Sequence, residues 1–299
     1  MLPSLRNRLV ITVAAAVGAL IWLSIGGHLR AADGSTGLSL MTARHGPVLS
    51  GLLVLVVGLP AVLAGGLASA VGNPLSGVFV AAVALSVLVG SSGGMEGWVF
   101  RHDARLPDDY LGLIVEMMIW MVCVLGMLYA VRFVQGIVNW VVASHEPVGE
   151  ITESLIRAKR LSSLAGFGVS AVVAGVVSVM LLRSPDRGQV ICSLILAFFA
   201  GGLVATTVWP NSHPWAILMS PALVAIAAYG WVALSFSSAS EFLQAWNSIG
   251  DSALRLPGPA VALPAHYASA AVVGCTLGIG GAQSMNRSRA RLDGQANRE

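Results

Sequence analysis

The sequence predicts an all-α, polytopic transmembrane helical bundle of about eight spans, and three observations carry that expectation. Charged residues make up only 10% of the 299-residue chain and hydrophobic ones 56%, where an average soluble domain has roughly 25% and 45–50%. Long apolar runs alternate with short segments that hold nearly every charge. Those runs approach the ~20 residues that a helix needs to cross the hydrocarbon core of a bilayer. A water-soluble fold of this composition would lack polar surface. In lipid the length is used up by spans, so one bundle is expected rather than several globular domains.

Sustained apolarity places the spans at 9–27, 48–71, 75–91, 110–131, 161–182, 189–209, 214–236 and 264–283. The first follows Arg6 and Arg8 and so resembles a secretory signal peptide. It is long for one, and Leu29 and Ala31 make a poor cleavage site, so it is read as a retained span. Gly72, Asn73 and Pro74 join the second span to the third, and Pro210 through Pro214 join the sixth to the seventh. Pro and Asn end one helix and start the next, so each pair is an antiparallel hairpin. The fourth span continues to about Val142 and carries Arg132, Gln135 and Asn139 at helical spacing. That polar stripe suits a helix leaving the bilayer, with Arg132 near lipid phosphate.

The stretch 144–160 is a connector helix: Pro147 stands at its start, and Glu150 and Glu153 precede Arg157 and Lys159, in keeping with the helix dipole. In 238–251, Ser238 and Glu241 fit a capping box, and Phe242, Ala245, Trp246 and Ile249 share one face. This predicts a short amphipathic helix in the headgroup plane. Pro257, Pro259 and Pro264 then impose an extended re-entry into the last span. The chain divides into a first four-span half (1–143), the connector (144–160), a second four-span half (161–285) and a basic tail (286–299) expected to be disordered.

Basic residues set the orientation. Arg6, Arg8, Arg157, Lys159, Arg160, Arg287, Arg289 and Arg291 flank spans on one side, and Arg30, Arg44, Arg101, Arg105, Arg183, Arg187 and Arg255 lie on the other. The positive-inside rule puts the first group, with both termini, in the cytoplasm of what reads as a bacterial inner membrane protein. The two halves also share a layout. Ala64-Gly65-Gly66-Leu67 recurs as Ala200-Gly201-Gly202-Leu203, each before an Asn/Pro hairpin, a further span, an outer loop holding Trp98 or Trp246, and a closing span. Such a four-plus-four duplication would be parallel, about an axis normal to the membrane. Gly65, Gly66, Gly201, Gly202, Gly274 and Gly278 are the expected helix-packing positions, since small residues let helices approach closely in lipid.

Few positions carry chemistry. Glu116 is the only carboxylate well inside an apolar run, where an ionised group costs roughly 2–3 kcal/mol on insertion scales. It should face the bundle or be neutral: the functional readings are a protonation site or a cation ligand, and the structural ones a buried polar contact or a side chain reaching the outer interface. Glu116 and Arg132 are therefore the candidate functional residues. Cys123, Cys192 and Cys275 lie in apolar runs and read as small core residues, and the histidines pair with neither Cys nor one another. His102, Asp103, Asp108 and Asp109 form the densest polar cluster, which would need His266 or Glu96 to hold a cation and reads as a solvated loop.

The function these residues predict is coarse: an integral membrane protein, non-enzymatic, acting as an embedded module or subunit of a membrane complex. A secondary transporter or permease for a small solute is the alternative, and an intramembrane enzyme is less supported because no nucleophile, base or metal-ligand set converges. No cofactor is expected. The partners expected are the lipid bilayer, further copies of the chain or other membrane subunits; scattered basic residues argue against nucleic acid.

Overall fold

The computed structural model describes residues 3–25, 38–40, 52, 64–65, 74–101, 108–142, 153–249 and 256–296. Every regular element among these is helical. In order they are α1 (Pro3–Ile25), α2 (Pro74–Ser92), α3 (Met95–Arg101), α4 (Asp109–Val142), α5 (Glu153–Leu181), α6 (Arg187–Val208), α7 (Pro214–Leu218), α8 (Ser220–Ser235) and α9 (Ala239–Asn247). A 3-10 turn (Gly258–Val261) leads into α10 (Pro264–His266), a π-helical turn (Tyr267–Ala271) and α11 (Val272–Ala296), which follow one another without a break.

Among the described residues, five stretches are long and apolar enough to cross a membrane: Leu75–Ser92, Asp109–Val134, Leu161–Leu181, Arg187–Val208 and Pro214–Ser235. They coincide with the expected third to seventh spans. The apolar part of α1, Leu9–Ser24, is shorter. The expected second span lies outside the described residues except for Leu52, Ala64 and Gly65. Two expectations differ from the structure. Helix α11 runs on to Ala296 across most of the tail expected to be disordered, and 153–160, assigned to the connector, is the first part of α5. Neither stretch contains a Gly or Pro that would stop the helix before Gly294.

The side-chain pattern is that of a bundle solvated by hydrocarbon. On α4, Leu111, Val115, Met118, Val122, Tyr129 and Phe133 form an exposed stripe, and Leu113, Met117, Trp120, Val124 and Leu128 a buried one. On α5 the buried face is small or polar (Ser163, Ser170, Ala171, Ala174, Ser178), while Leu161, Leu164, Val172, Val176 and Met180 point outward. On α5, large apolar groups outside and small ones inside is the arrangement in which lipid takes the place of water and helices meet by close packing, whereas α4 buries large apolar side chains as well.

The closest seam joins α6 to α11. A Cβ on Gly278 would run into Phe199 O and stand 2.7 Å from Leu203 N, and one on Gly274 would meet Ile195 O and Phe199 N. A Cβ on Gly202 would stand 3.0 Å from Cys275 O of α11, and one on Gly201 would stand 2.6 Å from Ser170 O of α5. One on Gly65 would likewise stand 2.6 Å from Gly77 O of α2; Gly66 lies outside the described residues.

A second device sits where α7 gives way to α8. Pro221 has no N–H, so Ile217 O loses its helical donor. Ser220 Oγ donates to that carbonyl at 2.7 Å and Cys275 Sγ at 3.6 Å, while Ser170 Oγ lies 2.9 Å from Ser220 Oγ. Cys275 is thus a polar partner at a helix crossing and not simply the small core residue expected.

Replacing Gly278 by Ala is expected to destabilise the bundle by about 1–3 kcal/mol, because backbone on the facing helix cannot yield. Gly280→Ala, two residues on, meets nothing within 4 Å and should leave the melting temperature unchanged or raise it. Thermal unfolding of the two variants in detergent checks the contrast.

Candidate functional site

Helix α4 starts at Asp109, and Glu116 follows seven residues later, about 10 Å along the axis at 1.5 Å per residue. It falls on the buried stripe with Leu113, Met117 and Trp120, and its side chain is fully enclosed. Its two oxygens accept from three donors. Leu40 N–H reaches Oε1 at 3.0 Å, Trp120 Nε1–H reaches the same oxygen at 3.2 Å from one helical turn away, and Ser39 Oγ–H reaches Oε2.

Ser39 and Leu40 come from the segment after α1 that the sequence places in an outer loop. Instead Leu38, Ser39 and Leu40 are inserted into the bundle, each 1% exposed. The apolar pair Leu38 and Leu40 around a serine, in an otherwise polar and Gly-containing stretch, was the available signal. A backbone N–H carried so deep needs an acceptor, and Glu116 provides it.

A second inserted segment lies at the same end of the bundle. From Gly258 to Leu263 the backbone is a 3-10 turn followed by extended residues, and every residue is buried. Pro257, Pro259 and Pro264 remove three N–H groups that would otherwise need partners, and φ/ψ of −66°/130° at Pro257 and −73°/156° at Leu263 match the extended re-entry expected.

The carbonyls are met by tyrosines. Tyr267 Oη donates to Pro259 O at 2.7 Å, Tyr110 Oη to Ala260 O at 3.3 Å, and Tyr229 Oη to Ala262 O. Three of the chain's four tyrosines converge here, from α4, α8 and the π-helical turn. Leu263 N–H donates to His266 Nδ1 at 3.1 Å, which leaves the proton on Nε2, a buried atom without a hydrogen-bond partner among the described residues. Sequence reading missed this clamp because its members stand far apart in the chain.

Aromatic rings tie the two segments into one unit. Tyr110 contacts Trp98, Tyr229 and Phe242 at centroid distances of 5.6, 5.8 and 5.5 Å, and Tyr229 continues to Tyr267 at 6.3 Å. Helix α9 joins through Phe242, which packs on Phe236 and Trp246. Ser238 Oγ caps α9 by accepting from Glu241 N–H at 3.3 Å, and Phe242, Ala245 and Trp246 form the buried face. That face lies against protein, so α9 covers this end of the bundle. The Glu241 carboxylate accepts from Ser237 N–H, one residue before the position expected for a capping box.

Arg132 takes no part in this locus. It is exposed on α4, sixteen residues beyond Glu116 and so about 24 Å away along the helix. Gln135 and Asn139 continue the same helix. Among the described residues no group of three or more His, Cys, Asp or Glu stands together in a form that would hold a metal ion. His102 and Asp103 of the acidic cluster lie outside the described residues, and His266 is engaged with Leu263. The arrangement at Glu116 is a carboxyl group held by donors at the junction of two inserted segments. No family model, curated protein or solved structure matches the chain.

Glu116→Ala orphans the Leu40 and Trp120 N–H groups and is expected to lower stability by roughly 1–3 kcal/mol for each buried donor left unpaired. Hydrogen exchange resolves the cause: the peptide spanning 38–40 should lose protection in Glu116→Ala while α6 and α11 keep theirs. Unchanged protection at 38–40 would show that the carboxylate does not hold that segment.

Proposed function

We propose that this chain is a non-enzymatic membrane-embedded module, acting as an accessory or assembly subunit within a larger membrane complex. The observation that carries the reading is that Glu116 and the three tyrosine hydroxyls at that end are engaged by the chain itself. Glu116 is engaged by Ser39, Leu40 and Trp120, and three tyrosine hydroxyls are engaged by the carbonyls of 259–262. A carboxylate used in this way acts as a structural fastener. The outward faces of α4, α5 and α8, with Val122, Leu164 and Trp231 exposed, are available to lipid or to neighbouring subunits.

The full topology belongs to the same proposal: eight spans in a bacterial inner membrane, with both termini cytoplasmic. Its support is that Ile11 in the first half of α1 and Gly280 in α11 line one cavity of about 310 Å³ with Leu75, so the two terminal helices approach each other beside the start of α2. A parallel four-plus-four repeat is supported by reciprocal packing. The closing helix of the first half, α4, packs on α8, and the closing helix of the second half, α11, packs on α2. The repeated glycines weigh against exact equivalence, since Gly65 faces α2 whereas Gly201 faces α5.

A transporter for a small solute is the second reading. It is favoured by a carboxylate beside non-helical backbone, the combination on which coupling-ion sites of broken-helix transporters are built. Extraction in a mild detergent, followed by native gel electrophoresis and light scattering, tests the first reading. A stoichiometric assembly larger than one chain is expected, and a lone monomer overturns it. For the second, Glu116→Gln should abolish ion-gradient-driven uptake in proteoliposomes while the protein remains monodisperse; wild-type uptake by the variant removes its basis.

A further inference from the structure

Where α5 meets α7, Ser163, Leu164 and Phe167 face His213, Trp215 and Met219 across a groove of about 500 Å³ with almost wholly apolar walls. The walls are pinned to each other. His213 N–H donates to Ser163 Oγ at 2.9 Å, Ser162 Oγ donates to Asn211 O at 3.4 Å, and Gly166 lets α5 approach the Ser212 side chain to 3.0 Å from where its own Cβ would stand. Leu164 and Trp215, which line it, are exposed. Both walls belong to stretches apolar enough to cross a membrane, so the groove opens toward hydrocarbon.

The charge beside it selects an occupant. Helix α5 is continuous from Glu153, so Lys159 and Arg160 stand one turn before the groove-lining Ser163 and Leu164, and Arg157 stands two turns before Leu164. Lys159 and Arg160 are the basic residues of α5 nearest in sequence to the groove-lining stretch. His213 closes the opposite wall. The other large apolar groove, about 420 Å³ between α5 and α8, is bordered by Val172, Leu223, Trp231 and Pro259 with no charged residue on its walls, and nothing there distinguishes one occupant from another.

We propose that the α5–α7 groove is a binding site for an anionic phospholipid, its acyl chain in the groove and its phosphate at Lys159 and Arg160. Each CH₂ buried favours binding by hydrophobic transfer, and each basic residue near the headgroup adds about fivefold in affinity for an anionic lipid over a neutral one. Trp215, exposed on the groove wall, is the amphipathic ring expected at the level of the headgroups. The site rests only on the membrane embedding of α5 and α7–α8 and is independent of the module or transporter reading.

Native mass spectrometry of the detergent-purified protein, titrated with 16:0/18:1 phosphatidylglycerol or with phosphatidylcholine of the same chains, tests it. Wild type should retain one phosphatidylglycerol in preference to phosphatidylcholine. Lys159→Gln with Arg160→Gln should reduce that preference by about fivefold per charge. Leu164→Trp keeps the charges but fills the groove from an exposed position, and should abolish the preference. Arg287→Gln, Arg289→Gln and Arg291→Gln together should leave it intact. Equal retention of the two lipids by wild type, a preference that survives Leu164→Trp, loss of the preference with the α11 arginines instead, or a dimer that excludes lipid would each overturn the proposal. Circular dichroism and size-exclusion profiles matching wild type establish that every variant compared is folded.

Discussion

Hydrocarbon offers a peptide group no hydrogen-bond partner, and a bundle in lipid must therefore satisfy from within every N–H and C=O that is not part of a helix. The architecture at the Glu116 end follows from that constraint. Two non-helical segments enter the bundle, and each brings its own set of stranded polar atoms. For 38–40 the stranded atom is an N–H, so the partner is an acceptor, the Glu116 side chain. For 258–263 prolines have removed several N–H groups and carbonyls predominate, so the partners are hydroxyl donors, Tyr110, Tyr229 and Tyr267. The same rule governs Ile217 O, freed by Pro221 and served by Ser220 and Cys275. In each case the kind of residue recruited is set by the kind of group left over.

Packing follows a related logic. Because lipid tails are as apolar as leucine, burying leucine between helices gains little, and close approach of backbones gains dispersion contact instead. This accounts for the serines and alanines on the inner face of α5 and for the glycines that bring α11 against α6. It also explains why large apolar side chains such as Leu164, Met180 and Phe133 are found outside. A reader applying water-soluble rules to the burial pattern of α5 would assign its faces the wrong way round.

What could be read in the sequence was whatever repeats along it. Apolar runs predicted α2, α4, α6 and the α7–α8 pair to within a few residues, and the spacing of Phe242, Ala245 and Trp246 predicted the buried face of α9. Glu116 stood out because a charge in an apolar run is a local contrast. Its partners did not, because Ser39 lies 77 residues away and no periodicity links them. The tyrosine clamp was hidden for the same reason, Tyr110 meeting a carbonyl 150 residues downstream. Helix ends were misjudged where charge density was taken as an end: α11 and α5 both continue through charged stretches, since a helix needs water or lipid around it but no change of backbone between them.

The distance in sequence across the tyrosine clamp also constrains how the bundle is made. Tyr110 and Tyr229 are synthesised before residues 259–262, and Tyr267 just after them. During insertion the two earlier hydroxyls therefore wait in the bilayer without their final acceptors, and the end they belong to cannot close until the 258–263 segment has left the ribosome and folded back between α4 and α8. Only then do the ring contacts from Trp98 to Tyr267 become continuous. A chain that stops short of this segment leaves the Tyr110 and Tyr229 hydroxyls without these carbonyl acceptors, and the end of the bundle they belong to stays open.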